Sequence, residues 1–139
     1  MEKPLFTYEF DVRDYECDLQ GIVNNAVYQH YLEHTRHKFL KHIGIDFADL
    51  HNRGTDAVLV RIELDYIYPL KSGDRFLVTL SLERHKRLKL IFYQDIFRLP
   101  DKKLILNAKA VAVCLQNGKP VVPLAIIEAF NRKKDIQLK

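Results

Sequence analysis

Residues 13–44, RDYECDLQGIVNNAVYQHYLEHTRHKFLKHIG, decide how the rest of the chain is read. A charged, cysteine-containing segment leads to Asp18 and Gly21, then to the pair Asn24-Asn25, then to a long helical pattern. Gly21 can take the positive φ that a sharp reversal needs. Asn24 is the best N-cap in the window, because its side-chain oxygen can accept a free N–H of the first turn. Asn25 then falls inside that turn. Tyr28, Leu32, Thr35, Phe39 and Ile43 recur at helical spacing, and Gly44 is a fitting stop. A carboxylate is thus expected on a tight turn just before a helix N-terminus, where unpaired N–H groups carry a partial positive charge. An acid or nucleophile beside such a carbonyl-polarising end suits acyl transfer.

Working outward, LFTYEFDV (5–12) alternates as a first strand with Phe6, Tyr8, Phe10 and Val12 on one face. Residues 46–57 are polar and read as a loop with one helical turn near Phe47 to His51. Four strand-like runs follow at 58–68, 75–85, 89–99 and 103–116. Pro69 cannot donate to a ladder and closes the first of these. Ser72-Gly73-Asp74, Pro100-Asp101 and Asn117-Gly118 supply turns, the last a hairpin signal. Short returns between successive strands predict antiparallel neighbours. Pro123 opens a final helix through Phe130, and the polar tail NRKKDIQLK is expected to fray. The sum is a single α+β domain over 1–139, a curved antiparallel five-stranded sheet wrapped around one long helix. Ala108 to Leu115 is almost free of polar residues, which predicts burial on both faces or at a subunit contact, and hence at least a homodimer.

With 139 residues the chain suits one core, and its apolar and charged fractions argue against wholesale disorder. The start, MEKPLFTYEF, lacks the basic and apolar regions of an export signal, and no stretch is apolar enough to span a bilayer. The cytoplasm is the default expectation. Cys17 and Cys114 lie far apart with no metal spacing, so free thiols are expected. The net charge of +4 is spread along the chain, which favours acidic small molecules or an acidic partner.

The run Asp18-x-x-Gly21-Ile22-Val23-Asn24-Asn25-Ala26-x-Tyr28-x-x-Tyr31-x-Glu33-x-x-Arg36 resembles the signature of hotdog-fold acyl-CoA thioesterases of the 4-hydroxybenzoyl-CoA thioesterase type. A weaker likeness continues to about residue 130. The resemblance implies hydrolysis of an acyl-CoA to a carboxylic acid and coenzyme A, with no cofactor. It implies Asp18 as the base that activates water or as the nucleophile that forms an anhydride, and leaves these two routes open. It implies the backbone N–H of Asn25 as the group that polarises the thioester carbonyl, with Gly21 and Val23 beside the substrate. Glu33 is the alternative catalytic carboxylate, because a related branch carries its acid on this helix. Glu33 and Arg36, three residues apart, could instead pair with one another. Hotdog proteins of this kind join their sheets edge to edge, so a homodimer or homotetramer is expected.

The basic turn Arg84 to Lys89 suits the phosphates of coenzyme A, with Lys86, Arg87 and Lys89 as the binding residues, or else is a solvated turn. The same charge could meet an acidic acyl carrier protein. His30, His34 and His37 fall opposite the Tyr28/Leu32/Phe39 stripe, but no carboxylate or thiolate completes a ligand set, and no metal is predicted. Cys17 lacks the oriented base that a thiol nucleophile needs. A hotdog dehydratase is disfavoured because Asn24 and Asn25 stand where a catalytic His would be convenient. A non-catalytic acyl-CoA or nucleic-acid binding module is the remaining alternative, though no nucleic-acid motif is present.

Overall fold

The computed structural model describes residues 3–133. Its central helix, α1 (Asn25–His42), begins where the capping argument puts it. Asn24 is extended, and its Oδ1 accepts from the Ala26 N–H at 3.0 Å. At the other end Gly44, at φ +96°, lets its own N–H reach Lys41 O and the Ile45 N–H reach Leu40 O. Those two bonds are a Schellman stop, and Lys41 and His42 in the last turn suit the helix dipole.

The remaining elements are β1 (Phe6–Asp11), α2 (Phe47–Asn52), β2 (Thr55–Tyr66), β3 (Arg75–His85), β4 (Lys89–Leu99), β5 (Lys103–Gln116), β6 (Lys119–Val121) and α3 (Leu124–Lys133). The five expected strands form one antiparallel sheet, and the three-residue β6 adds a sixth strand beyond the Asn117-Gly118 turn. The segment read as a loop with one helical turn is α2 followed by an early start of β2 at Thr55. Asp46 caps α2 by accepting from both Ala48 and Asp49 N–H. Helix α3 runs past Phe130 to Lys133, so the expected fraying does not hold for 131–133; the rest of that tail lies outside the described residues.

Strand order is β1-β3-β4-β5-β2. The expectation that successive strands are neighbours holds for β3, β4 and β5 and fails for β2 and β3. The connecting segment does not turn back on β2. It crosses the open end of the sheet, where Leu70 O accepts from the Val23 N–H at 2.9 Å and Lys71 bridges Ile22. The strands that precede and follow α1 therefore sit at opposite edges.

Helix α1 lies on the face formed by Phe76, Val78, Leu80 and Leu82 of β3 and Leu90, Phe92 and Ile96 of β4. Leu32, Phe39 and Leu40 fill that contact, and Tyr31 packs on Phe76 with ring centroids 4.6 Å apart. β5 is buried on both faces at Ala110 and Val111, as its apolar run predicts. Three polar residues enter this core: Thr35, whose Oγ1 donates to Tyr31 O at 2.8 Å, Arg36 and Gln94. Arg36, buried on α1, donates from Nη1 to Gln94 Oε1 at 3.0 Å, and Gln94 Nε2 donates to Leu32 O at 3.0 Å. Arg36 thus hydrogen-bonds the sheet instead of pairing with Glu33, which is exposed.

The β3–β4 turn places Lys86 at φ +49° and Arg87 at φ +67°, a left-handed pair that costs about 1–2 kcal/mol per non-glycine residue. Replacing Lys86-Arg87 by Asn-Gly is expected to stabilise the protein by about 1 kcal/mol, read as a higher thermal midpoint.

Candidate active site

The approach to α1 is a small hairpin. Cys17 and Val23 form an antiparallel bridge, the Asp18 N–H donates to Ile22 O at 2.9 Å, and the Gly21 N–H donates to Asp18 O at 3.0 Å. Gly21, at φ +82°, makes the reversal. The Asp18 carboxylate is exposed, and its Oδ1 accepts from the Gln20 N–H at 2.8 Å. It therefore shapes its own turn while keeping its second oxygen open. Upstream, Glu16 Oε1 accepts from the Arg13 N–H and from the Tyr31 hydroxyl, and Ser72 Oγ donates to Asp14 Oδ1. These ties fix the hairpin to the helix and to the crossing segment.

In the first turn of α1, the Ala26 N–H goes to the cap and the Val27 N–H to Asn24 O. The Asn25 N–H has no hydrogen bond among the described residues. Asn25 borders a cleft of about 220 Å³ with Ile22, Val23, Tyr28, Tyr66, Ile67, Tyr68 and Pro69. Tyr66 donates to Asn25 O at 3.2 Å, and the buried Tyr28 hydroxyl accepts from the Leu70 N–H at 3.0 Å. Burial pushes the Tyr28 phenol up, so it remains a neutral part of the wall. Asp18 does not itself line this cleft; its N–H donates to the O of Ile22, which does.

The other sequence-nominated residues lie elsewhere. Glu33 borders a separate groove with Arg36, His37 and Phe47, roughly 12 Å along the helix from Asn25 at 1.5 Å per residue. Lys86, Arg87 and Lys89 sit at the far end of β3, whose length from Arg75 is roughly 33 Å. Asp74, at the near end, is the residue tied to Val12 and Lys71 beside the hairpin. His30 and His34 border one pocket, where His34 packs against Tyr8 and Phe10, whereas His37 packs against Phe47. Among the described residues no three His, Cys, Asp or Glu side chains cluster as metal ligands. Burial raises the Cys17 thiol, which keeps it from acting as a thiolate, and Cys17 and Cys114 are both unbridged. No helix among the described residues is long and apolar enough to cross a membrane. Sequence reading missed Tyr66, Tyr68 and Leu70, because their place at the helix N-terminus depends on the crossing segment.

Comparison with known proteins agrees with this architecture. A 1,4-dihydroxy-2-naphthoyl-CoA thioesterase from Synechocystis superposes with a TM-score of 0.87 at 20% identity, over 94% of this chain and 98% of that one. That likeness establishes the hotdog fold. A hypothetical protein from Aquifex aeolicus superposes with a TM-score of 0.82 at 31% identity, over 89% and 98%. The chloroplastic acyl-acyl carrier protein thioesterase ATL3 of Arabidopsis thaliana is 40% identical over 88% of this chain. The chain spans 65% of ATL3 and 58% of ATL2 from the same organism, which is also 40% identical. A match to the Thioesterase-like superfamily covers residues 12–130, and the chain belongs to that family.

Proposed function

We propose that this protein hydrolyses an acyl-CoA thioester to a carboxylic acid and coenzyme A. The observation that carries this reading is the unbonded N–H of Asn25, a residue bordering the cleft, seven residues after a carboxylate with a free oxygen. The thioester carbonyl oxygen would accept from Asn25, drawing charge toward the helix N-terminus as the tetrahedral centre forms. Asp18 would deprotonate the attacking water, or attack directly to give an anhydride that water then opens. In either route the coenzyme A thiolate leaves and is protonated. Asn25 acts through its backbone, so its side chain is not needed. The relatives named as acyl carrier protein thioesterases favour a second substrate for the same site, an acyl group on a carrier protein. Release of free thiol from a panel of acyl-CoAs and acyl-carrier proteins tests both. Turnover of no member would overturn the reading.

The functional unit in this reading is a dimer. β2 is an edge strand with Leu59 and Val60 exposed, and the chain beyond it exposes Ile67 and Tyr68. An uncovered apolar edge invites pairing with a second copy. Two β2 edges paired antiparallel about a two-fold would bring the partner's basic turn toward this protomer's Asp18 end. Lys86, Arg87 and Lys89 would then meet coenzyme A across the interface. Light scattering at micromolar concentration is expected to give a dimer or tetramer, and Val60→Asp to shift it toward monomer; a monomeric wild type would refute the arrangement.

A further inference from the structure

A cation that the sequence does not single out packs on one of the residues lining the cleft. Lys103 Nζ lies 4.4 Å from the centroid of the Tyr68 ring, and Tyr68 lines the cleft together with Val23 and Asn25. Arg98 also approaches that ring, with Cζ at 5.4 Å, but its charge is taken by Asp101, which accepts from Nε at 3.1 Å and from Nη2 at 2.5 Å. Lys103 makes no ion pair among the described residues. The ring holds its ammonium in place without consuming any of its three donors. The chain's own basic turn at 84–89 is at the opposite end of the sheet, whereas the Lys103 ammonium stands against the ring of a residue that lines the cleft.

Resting on the thioester-hydrolysis reading, we infer that Lys103 binds the phosphate that ends the substrate's pantetheine arm. Coenzyme A and acyl carrier protein share that phosphate. A compact ammonium suits it as a point charge at the mouth of an otherwise aromatic and aliphatic cleft. Lys103 is a binding residue in this scheme and takes no part in bond cleavage.

The test compares wild type, Lys103→Met and Lys103→Arg on one acyl group carried by coenzyme A, by acyl carrier protein and by N-acetylcysteamine, which has no phosphate. Lys103→Met keeps the aliphatic contact with Tyr68 and is expected to raise KM for both phosphate-bearing substrates by about ten-fold, the scale of one charge-assisted hydrogen bond. kcat should hold, turnover of the N-acetylcysteamine ester should hold, and Lys103→Arg should restore KM. An equal loss on the phosphate-free ester would mean a structural role and overturn the assignment. So would an unchanged KM, or a loss confined to one of the two carriers. If wild type turns over none of the three, the hydrolysis reading falls, and calorimetric titration with free coenzyme A reads Lys103 directly. Weaker binding by Lys103→Met would then support the site; equal affinity, or no binding by wild type, would overturn it.

Discussion

Asp18→Asn is expected to leave the thermal midpoint unchanged while lowering kcat/KM by about 10²–10⁴-fold, the loss typical of a missing general base. The fold should survive because the one hydrogen bond made by the side chain is accepted by Oδ1 from Gln20, and an amide oxygen can accept it equally well. What the variant loses is the charge and basicity of an exposed carboxylate. Asn25→Ala is the matching control, with little effect expected on turnover, since the proposed role uses only the backbone N–H. Steady-state kinetics with thiol detection, alongside thermal unfolding, measures both. Turnover that survives Asp18→Asn would move the carboxylate role to Glu33. A single turnover in heavy-oxygen water separates the two routes. General-base catalysis places the label in the acid released, whereas an anhydride opened at the Asp18 carbonyl leaves the first product unlabelled.

Gln94→Met is expected to destabilise the protein by about 3 kcal/mol, lowering the midpoint by roughly 10 °C. Gln94 is 1% exposed and Arg36 9%, and the amide is the hydrogen-bond acceptor that the guanidinium has on the sheet. Burial already pulls the Arg36 pKa down, with the Glu33 charge opposing that effect. Methionine nearly keeps the volume of Gln94 but leaves a buried cation with no acceptor. The double variant Arg36→Met/Gln94→Met removes charge and amide together and should recover most of the loss, because an apolar pair of similar shape is close to neutral. Chemical denaturation of the four proteins closes the cycle. A double variant as weak as the sum of the singles would mean that the pair does not act through its polarity.

The turn, the cap and the stop of α1 were legible because each is set by local chemistry at Gly21, Asn24 and Gly44. Strand identity was legible from alternation, since inward and outward residues of β1 and β3 follow a period of two. Strand order was not. A segment as short as Ile67 to Asp74 reads as a return, and only its bonds to Ile22 and Val23 reveal a crossing. Gln94 offered a usable signal: it is the polar residue that interrupts the inward apolar run of β4, between Phe92 and Ile96. Lys103 offered none, because its contact with Tyr68 comes from how β2 and β5 pair at that end.

Strand order also dictates when the protein can fold during its synthesis. β1 pairs with β3, and β2 pairs with β5, so neither strand of the first half finds its partner within that half. A ribosome that has reached Tyr66 has synthesised both edges and the helix between them, with no sheet for them to join. The meander β3–β4–β5 must emerge first, and it then captures β1 on one side and β2 on the other. Such distant pairings close loops before any contact rewards them, which makes folding a late event. The hairpin that bears Asp18 takes its final position only then, so a nascent chain carries the residues of the site well before it carries the site.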